Sequence, residues 1–285
     1  MTCRLWDTRA NKTTCGIIGF RDEITAVGFV GQNNLAVACG SAIYIYDQRY
    51  TGAVARAQDM VATVGPIGGP SEIQGISTRG DFVAYVDEDG HVHVCDVTDP
   101  TDYTRLPGGH DALASCVSFH PTEPTIATGG FDRRVILWDV FGEKEVASAE
   151  AQVASDPSGT KFINPPFVYA LDFDPDEEHT VVSGHADGRI MCSGDGDVLD
   201  WPECHNYSIS ALQFVRSNPS IVATAGLDCE VRLWDANTLT TPGKDTPHPL
   251  ARHYLAAKPS AMVSSDTAPH IYIDQDTSIV SLALE

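Results

Sequence analysis

Three side chains that can bind a metal ion alternate along one segment of the sequence. His91, His93 and Cys95 stand two residues apart, a spacing that puts all three on one face of a β-strand. A zinc site needs four ligands at recognisable spacing, and no second group of ligands lies nearby in the sequence. An ordinary strand therefore explains the three residues, and the sequence predicts neither a metal site nor a cofactor.

A second acidic segment has the residue types of a calcium loop. Asp195, Asp197 and Asp200 carry carboxylates, but Leu199 stands where the EF-hand pattern needs a ligand. Residues 194–197 are instead typical of a hairpin turn. The sequence also lacks the GxSxG, Walker and GxGxxG motifs. We therefore expect no catalytic residues and a protein that is not an enzyme.

The charge of the chain restricts its partners. Its 285 residues include 18 Lys and Arg against 39 Asp and Glu, which gives a formal net charge of −21. Such a field repels nucleic acid and anionic lipid, and it attracts basic peptides. A high net charge also keeps a large β-protein soluble, and this simpler explanation remains open. We expect protein partners and no direct contact with nucleic acid or membranes.

Cysteine usage and hydropathy indicate the compartment. The eight cysteines contain no CxxC pair, and the sequence has neither an apolar leader at Met1 nor a run of 18 apolar residues. Free thiols suit a reducing compartment. The expected location is cytoplasmic, nuclear or both.

The elements that carry these residues repeat along the chain. Residues 116–139 and 211–235 each predict three short strands, and in both an Asp stands six residues before a Trp-Asp pair. The anchor residues Asp7, Asp47, Asp96 and Asp139 recur at intervals of 40, 49 and 43 residues. A period of roughly 40–45 residues with four short strands predicts a β-propeller. Weaker copies of the pattern occur at 24–47, 73–96 and 168–192, and as C-terminal runs at 253–257, 270–274 and 278–283.

These segments resemble WD40 repeats, most clearly where Gly109-His110 is followed by Trp138-Asp139. In that family a His, a Ser or Thr, an Asp and a Trp form a hydrogen-bonded structural tetrad. Such a buried polar network specifies a fold and does not catalyse. The resemblance implies two tetrads, formed by His110, Thr128, Asp132 and Trp138 and by His205, Thr224, Asp228 and Trp234.

Three repeats depart from this pattern. Tyr46, Cys95 and Ser193 stand where the family has the tetrad Trp. We expect these repeats to be looser and to be held mainly by apolar packing.

The expected fold is a single all-β domain over residues 1–285, a WD40 β-propeller of the seven-bladed type. Residues 4–8 and 13–18 read as the third and fourth strands of an incomplete first blade, and the last blade has three strands. One arrangement is a seven-bladed propeller that has lost its first strands. The other is six-bladed, with both termini sharing one blade, because propellers protect their sheet edges.

Two segments end in an arginine that suits partner binding. Trp6-Asp7-Thr8-Arg9 and Tyr46-Asp47-Gln48-Arg49 resemble the motif by which some WD40 propellers dock on the adaptor of the cullin-4 ubiquitin ligase. An arginine fork binds a carboxylate bidentately, although a surface arginine can also simply pair with a neighbouring acid. The predicted adaptor-binding residues are Asp7, Arg9, Asp47 and Arg49.

Two large apolar residues precede the tetrad aspartates. Phe131 and Leu227 are predicted to lie on turns, where they either pack or bind a partner. The sequence thus favours a non-catalytic interaction scaffold, a monomeric propeller within a complex, with substrate reception for a cullin-4 ligase as the leading context and an unknown protein as client. The alternative is a chromatin, histone or basic-peptide reader that uses an acidic face.

Overall fold

The structure is a computed structural model that describes residues 1–7, 10, 12–49, 52–65, 71–99, 101, 103–153, 164–177, 179–194, 197–243, 246–265, 270–275 and 278–284. The described residues form seven β-sheets, five with four strands and two with three. Contacts divide the chain into two compact units, Met1–Val117 and Ser118–Glu285. None of the helices among these residues is long and apolar enough to cross a membrane.

The first unit contains three sheets. Their orders are β1-β2-β6, β3-β4-β5-β7 and β11-β10-β9-β8, where the strands are, in chain order, β1 (Thr2–Asp7), β2 (Lys12–Ile18), β3 (Ile24–Val30), β4 (Asn34–Cys39), β5 (Ala42–Asp47), β6 (Val54–Arg56), β7 (Ala62–Val64), β8 (Ile73–Arg79), β9 (Phe82–Asp87), β10 (Val92–Asp96) and β11 (Tyr103–Arg105). A 3-10 turn, Ala57–Asp59, separates β6 from β7.

The second unit contains the other four sheets, and the first strand of the unit begins just before its boundary. Their orders are β12-β13-β14-β15, β16-β17-β18-β19, β20-β21-β22-β23 and β24-β25-β26, where the strands are β12 (Ala114–Phe119), β13 (Thr125–Gly130), β14 (Arg134–Asp139), β15 (Lys144–Glu150), β16 (Val168–Phe173), β17 (Val181–His185), β18 (Ile190–Gly194), β19 (Asp197–Trp201), β20 (Ile209–Phe214), β21 (Ile221–Gly226), β22 (Glu230–Asp235), β23 (Ala251–Tyr254), β24 (Ala261–Ser264), β25 (His270–Gln275) and β26 (Ser278–Ala283). One short helix, α1 (Ala236–Thr240), follows β22.

The middle strands of each sheet form the core. β4 and β9 are largely apolar, and nearly every residue in them and in β13 is buried, as expected for strands covered on both faces. Each unit has its own apolar clusters, one around Ile43 and Val83 in the first unit and one around Phe214 and Trp234 in the second. The fourth strands are more exposed, as β15 and β23 show.

Both termini depart from the sequence prediction. The β1–β2 pair is joined by β6, which runs parallel to β2 with Gly16 opposite Val54. The β1–β2 pair and the β24–β26 triplet belong to separate sheets, so the six-bladed alternative is wrong.

The run at 253–257 is also reassigned. Its first residues lie in β23, which pairs with β22 as the fourth strand of that sheet, with Val231 opposite His253. The run therefore does not begin the last sheet, which starts at β24.

The acidic segment that resembles a calcium loop lies at a hairpin. Gly194 at the end of β18 pairs with Asp197 at the start of β19, while Asp195 and Gly196 lie outside the described residues. Asp200 accepts a hydrogen bond from Arg189 at 2.6 Å.

Candidate functional site

The sheet β20–β23, here called the tetrad sheet, joins four polar side chains at the turn between β21 and β22. Nδ1 of His205 lies 3.0 Å from both carboxylate oxygens of Asp228, and its Nε2 lies 2.8 Å from Oγ1 of Thr224. Nε1 of Trp234 donates to the same hydroxyl at 2.8 Å. With Nδ1 of His205 donating to the carboxylate, Thr224 donates to Nε2 and accepts from Trp234, so every group in the chain has a partner.

Backbone geometry explains why this network forms here. The amide of His205 donates to the carbonyl of Gly188 at 2.8 Å, which anchors the loop before β20 on the preceding hairpin. A Cβ at Gly226 would collide with the imidazole of His205 and the carboxylate of Asp228, so only glycine leaves them room. Thr224 lies on β21 and Trp234 on the neighbouring strand β22, where both side chains are buried.

The electrostatics favour an ionised Asp228. Burial raises the pKa of this carboxyl, but hydrogen bonds from His205 and from the amide of Asn206, together with the nearby charge of Arg232, outweigh burial and lower the pKa below its usual value. The carboxylate therefore stays charged at neutral pH and holds the imidazole in one orientation.

Three members of the other predicted tetrad, Thr128, Asp132 and Trp138, lie in the second unit. Nε1 of Trp138 on β14 donates to Oγ1 of Thr128 on β13 at 2.9 Å, and both side chains are fully buried. Asp132 lies in the turn between them and accepts from the amide of Arg134 at 3.1 Å. His110 belongs to the first unit, where it is buried and its amide donates to the carbonyl of Gly90 at 2.9 Å.

Asp47 and Arg49 form an exposed ion pair at the end of β5. The guanidinium donates from Nε to both carboxylate oxygens, at 2.9 and 3.1 Å, and from its terminal nitrogen at 2.5 Å. These hydrogen bonds lower the pKa of Asp47 to about 2. The arginine side chain remains 69% exposed, so the fork is oriented by its own chain and still faces solvent.

This ion pair borders an apolar pocket of the first unit. The pocket has a volume of about 280 Å³, and its lining includes Leu5, Ile17 and Leu35 together with Asp47 and Arg49. A charged fork thus stands beside a small apolar recess.

The equivalent motif at the N-terminus is described only in part. Asp7 ends β1 and accepts from the amide of Ala10 at 3.0 Å. Thr8 and Arg9 lie outside the described residues.

Phe131 lies in an aromatic cluster of the second unit. Its ring stacks on Phe167 at a centroid distance of 4.7 Å, and it meets the ring of Tyr169 edge-on at 5.5 Å. Phe131 and Phe167 are half-buried, while Tyr169 is 39% exposed. Phe131 therefore both packs and contributes to a partly exposed aromatic surface.

Leu227 occupies the corresponding turn of the tetrad sheet. Its amide donates to the carbonyl of Ser208 at 2.8 Å, and its side chain is half-buried. The neighbouring Tyr207 is 64% exposed. Phe131 and Leu227, the residues before the two tetrad aspartates, thus each have an exposed tyrosine nearby, Tyr169 and Tyr207 respectively.

The sheet β8–β11, here called the histidine sheet, contains a group that the sequence analysis missed. Oδ2 of Asp87 lies 3.2 Å from Nδ1 of His91 and 3.4 Å from Nε2 of His93. Cys95, the third residue of the alternating His-x-His-x-Cys segment, places its thiol 3.4 Å from the carbonyl of Asp96. Asp87 precedes the histidines across a hairpin turn, so a strand-face pattern cannot include it, whereas an Asp-x₃-His-x-His spacing over a hairpin would.

The sheet β16–β19, which lacks the tetrad tryptophan, contains a polar network in addition to its apolar core. Nε2 of His185 lies 2.9 Å from the hydroxyl of Ser183, and Nδ1 lies 2.9 Å from the carbonyl of Pro166. Arg189 donates to Asp187 at 2.7 Å and to Asp200 at 2.6 Å. A different polar network therefore occupies the place of the tetrad.

Comparisons with known proteins agree with the repeat analysis. The WD40 family, described as "WD domain, G-beta repeat", matches residues 102–139 and 198–235. The nuclear distribution protein nudF of Aspergillus niger is 26% identical over 152 residues, which cover 49% of this chain and 30% of that protein. The human U5 small nuclear ribonucleoprotein 40 kDa protein is 45% identical over 38 residues, which cover 13% of this chain and 11% of that protein.

The fold has a solved counterpart. A chain in the crystal structure of a mitotic checkpoint complex superimposes with a TM-score of 0.73 at 16% identity, over 94% of this chain and 78% of that one. With seven sheets, this likeness confirms the expected all-β propeller of the seven-bladed type. The chain thus has a β-propeller fold, and two of its segments, residues 102–139 and 198–235, match the WD40 repeat.

Proposed function

We propose that this chain is a non-catalytic protein-binding platform and that the surface around Arg49 is one of its docking sites. The observation that carries the proposal is an arginine fork, 69% exposed, beside an apolar pocket of about 280 Å³. Small-molecule sites usually enclose roughly 300–1,000 Å³, so this pocket lies at the small end of that range and has room for one partner side chain beside the fork.

The ion pair with Asp47 orients the side chain of Arg49 and leaves it able to bind a partner. An exposed ion pair contributes little to stability, so exchanging Asp47 for a partner's carboxylate or carbonyl costs little. The pairing also removes part of the rotamer freedom that the side chain would otherwise lose on binding. Arginine is among the residues that most often dominate interface energies.

The specific partner that we propose is the adaptor of the cullin-4 ubiquitin ligase, which makes the chain a substrate receptor. The aromatic-Asp-x-Arg motif at residues 46–49 supports this partner through its resemblance to the docking motif of other propellers. The order of features, notably at 43–49 and 271–280, is also similar to that of the animal protein WD repeat-containing protein 53.

A pull-down from cell extract tests the adaptor. The wild type is compared with Arg49→Ala alone and with Arg9→Ala, Arg49→Ala together, and Arg252→Ala on the exposed strand β23 serves as the matched arginine control. We expect the adaptor with the wild type and the control, and its loss with the Arg49 variants. Equal capture by all four folded proteins, or by none, would reject the ligase role.

The aromatic surface of the second unit is the proposed client site. Phe131, Phe167 and Tyr169 offer stacked rings with one partly exposed edge, and Leu227 lies on the corresponding turn of the tetrad sheet. Aromatic residues are enriched at interface hot spots. Tyr169→Ser should lose proteins that the wild type captures, whereas Tyr103→Ser on β11 should retain them. If both variants capture the same set of proteins, the client does not use this surface.

Recognition of a basic peptide is the second candidate, and the net charge of −21 favours it. Attraction of this kind is screened within about 10 Å at 0.1 M salt. A lysine-rich histone-tail peptide should therefore bind at low ionic strength and lose affinity steeply as salt rises. Binding that is absent at low salt would exclude the reader function.

The proposed location is the cytoplasm, the nucleus or both. All eight cysteines are free, and five of them are buried. Free buried thiols are compatible with a reducing compartment.

A further inference from the structure

The three side chains that meet at the β9–β10 hairpin of the histidine sheet have the chemistry of a metal site. One ligand atom from each of Asp87, His91 and His93 lies within 4.8 Å of the other two. Two imidazole nitrogens and one carboxylate oxygen suit zinc and its neighbours among the divalent transition metals.

His93 is buried and lacks well-formed hydrogen bonds among the described residues. Its side chain is 1% exposed, and the only partner of its Nε2 is the Asp87 carboxylate at 3.4 Å, a contact that lacks good hydrogen-bond geometry, while Nδ1 makes no hydrogen bond within the part of the chain that the structure describes. A buried polar nitrogen without a partner costs free energy, and such groups are usually satisfied in folded proteins. A metal ion between Nε2 and the Asp87 carboxylate would replace this poorly aligned contact with a direct bond to each.

The spacing of the ligand atoms fits a bound ion. In a tetrahedral site with bonds of about 2.0–2.1 Å, neighbouring ligand atoms stand roughly 3.3 Å apart. Oδ2 of Asp87 lies 3.2 Å from Nδ1 of His91 and 3.4 Å from Nε2 of His93. Two of the three ligand-atom distances therefore match a shared ion, and the two histidine nitrogens lie within 4.8 Å of each other.

The carboxylate is already oriented for this role. Oδ1 of Asp87 accepts from the amides of His91 at 2.9 Å and Asp89 at 3.1 Å, so backbone donors hold one oxygen while the other faces the imidazoles. Hydrogen bonds of this kind orient metal ligands and tune their affinity.

Packing and access also suit an ion. The ring of Tyr85 stacks on that of His93 at 4.6 Å with an interplanar angle of 7°, which restrains the buried ligand. The side chain of His91 is 26% exposed, so an ion can enter from solvent and keep a water as its fourth ligand.

We propose that Asp87, His91 and His93 bind one divalent transition-metal ion, with zinc as the first choice, and that the ion ties the two strands of this hairpin together. This hairpin belongs to a repeat in which Cys95 replaces the tetrad tryptophan. The ion would crosslink β9 and β10 where a tetrad links strands in other repeats.

Titration with metal tests the site in the full chain. The protein is stripped with a chelator and titrated with Zn²⁺ by calorimetry and with Co²⁺ by visible absorption. We expect one equivalent of each ion, with Co²⁺ bands of a nitrogen and oxygen site and no thiolate charge-transfer band. Asp87→Asn, His91→Gln and His93→Gln should each weaken binding at least about tenfold, because even the loss of an outer-shell partner has that effect.

The controls separate this site from other ligands. His253→Gln removes an exposed histidine of β23 and should leave binding unchanged. If His93→Gln does not fold, the His91→Gln variant, at a position that is partly exposed, and the isosteric Asp87→Asn variant still test whether these residues bind the ion. A thiolate band, equal binding by all variants, or no binding by the wild type at micromolar ion would overturn the proposal.

Discussion

The tetrad sheet and the histidine sheet contain equivalent hairpins that differ in how well their buried polar groups are hydrogen-bonded. In the tetrad sheet, Thr224 connects His205 to Trp234, and every donor in the chain has an acceptor. In the histidine sheet, the hydroxyl of Tyr85 and Nδ1 of His93 make no hydrogen bond within the described residues, and Nε2 of His93 has only a poorly aligned contact with Asp87 at 3.4 Å.

Two replacements account for this difference. The repeat pattern aligns Tyr85 with Thr224 and Cys95 with Trp234, so the short hydroxyl and the indole donor are both lost. Without them an imidazole has no chain of partners inside the sheet. The same hairpin position can therefore be scaffold in one repeat and a ligand site in another, and residue type alone does not distinguish the two.

The largest expected effect is the loss of the central hydroxyl of the tetrad. Thr224→Val keeps the shape of the side chain but leaves Nε2 of His205 and Nε1 of Trp234 buried without their partner. Each such group costs about 1–3 kcal/mol, so the free energy of unfolding should fall by about 2–4 kcal/mol. Urea denaturation measures the change, and a loss below about 0.5 kcal/mol would show that the tetrad is not structural.

A second test uses His185, which has partners yet is buried. Burial lowers its pKa to about 4, so the unfolded chain binds this proton more readily than the folded one. The neutral imidazole therefore contributes fully to the free energy of unfolding above the unfolded pKa of about 6.5. This contribution is lost as the pH falls toward 4, and the loss of stability over that range is about 3 kcal/mol. His185→Gln should flatten stability between pH 6.5 and 4. An unchanged slope would mean that the imidazole is charged in the fold.

Asp228 should act in a more acidic window and with a smaller effect. Its folded pKa lies below the unfolded value of about 3.9, so the carboxylate stabilises the fold above that pH and the contribution disappears as the pH falls through the folded pKa. Acid unfolding followed by tryptophan fluorescence measures this dependence, and Ala225→Gly serves as a destabilised control whose stability should keep the wild-type dependence on pH. Asp228→Asn should remove the acid-dependent part of the stability, and an Asn variant with the wild-type slope would contradict the assignment.

The smallest effect should come from the histidine sheet. Tyr85→Phe keeps the ring stacked on His93 and removes a buried hydroxyl that has no partner among the described residues. Because the hydroxyl is desolvated without compensation, stability should stay the same or rise by about 1 kcal/mol. Thermal unfolding measures the difference, and a clear loss would reveal a partner for the hydroxyl.

The repeats made most of the fold predictable. Five fuller repeats and two partial ones correspond to five four-stranded and two three-stranded sheets, because strand alternation and turn residues are local signals. β6 was missed, since three residues that pair in parallel with a distant strand leave no periodic pattern.

The sites were predictable only where the repeat itself encodes them. The positions of Thr224 and Trp234 follow from the motif, and their hydrogen bond follows from strand register. Asp87 and the network around Arg189 depend on contacts across a hairpin and between strands, which single-residue patterns do not report. The orientation of Arg49 by Asp47 also appears only in three dimensions.

The most direct test of the central claim, that one hairpin is closed scaffold and the other an open ligand site, is hydrogen exchange of the full chain with and without Zn²⁺. Zinc should slow exchange of the amides at 87–93 and leave those at 226–230 unchanged. Slower exchange at both hairpins, or at neither, would contradict it.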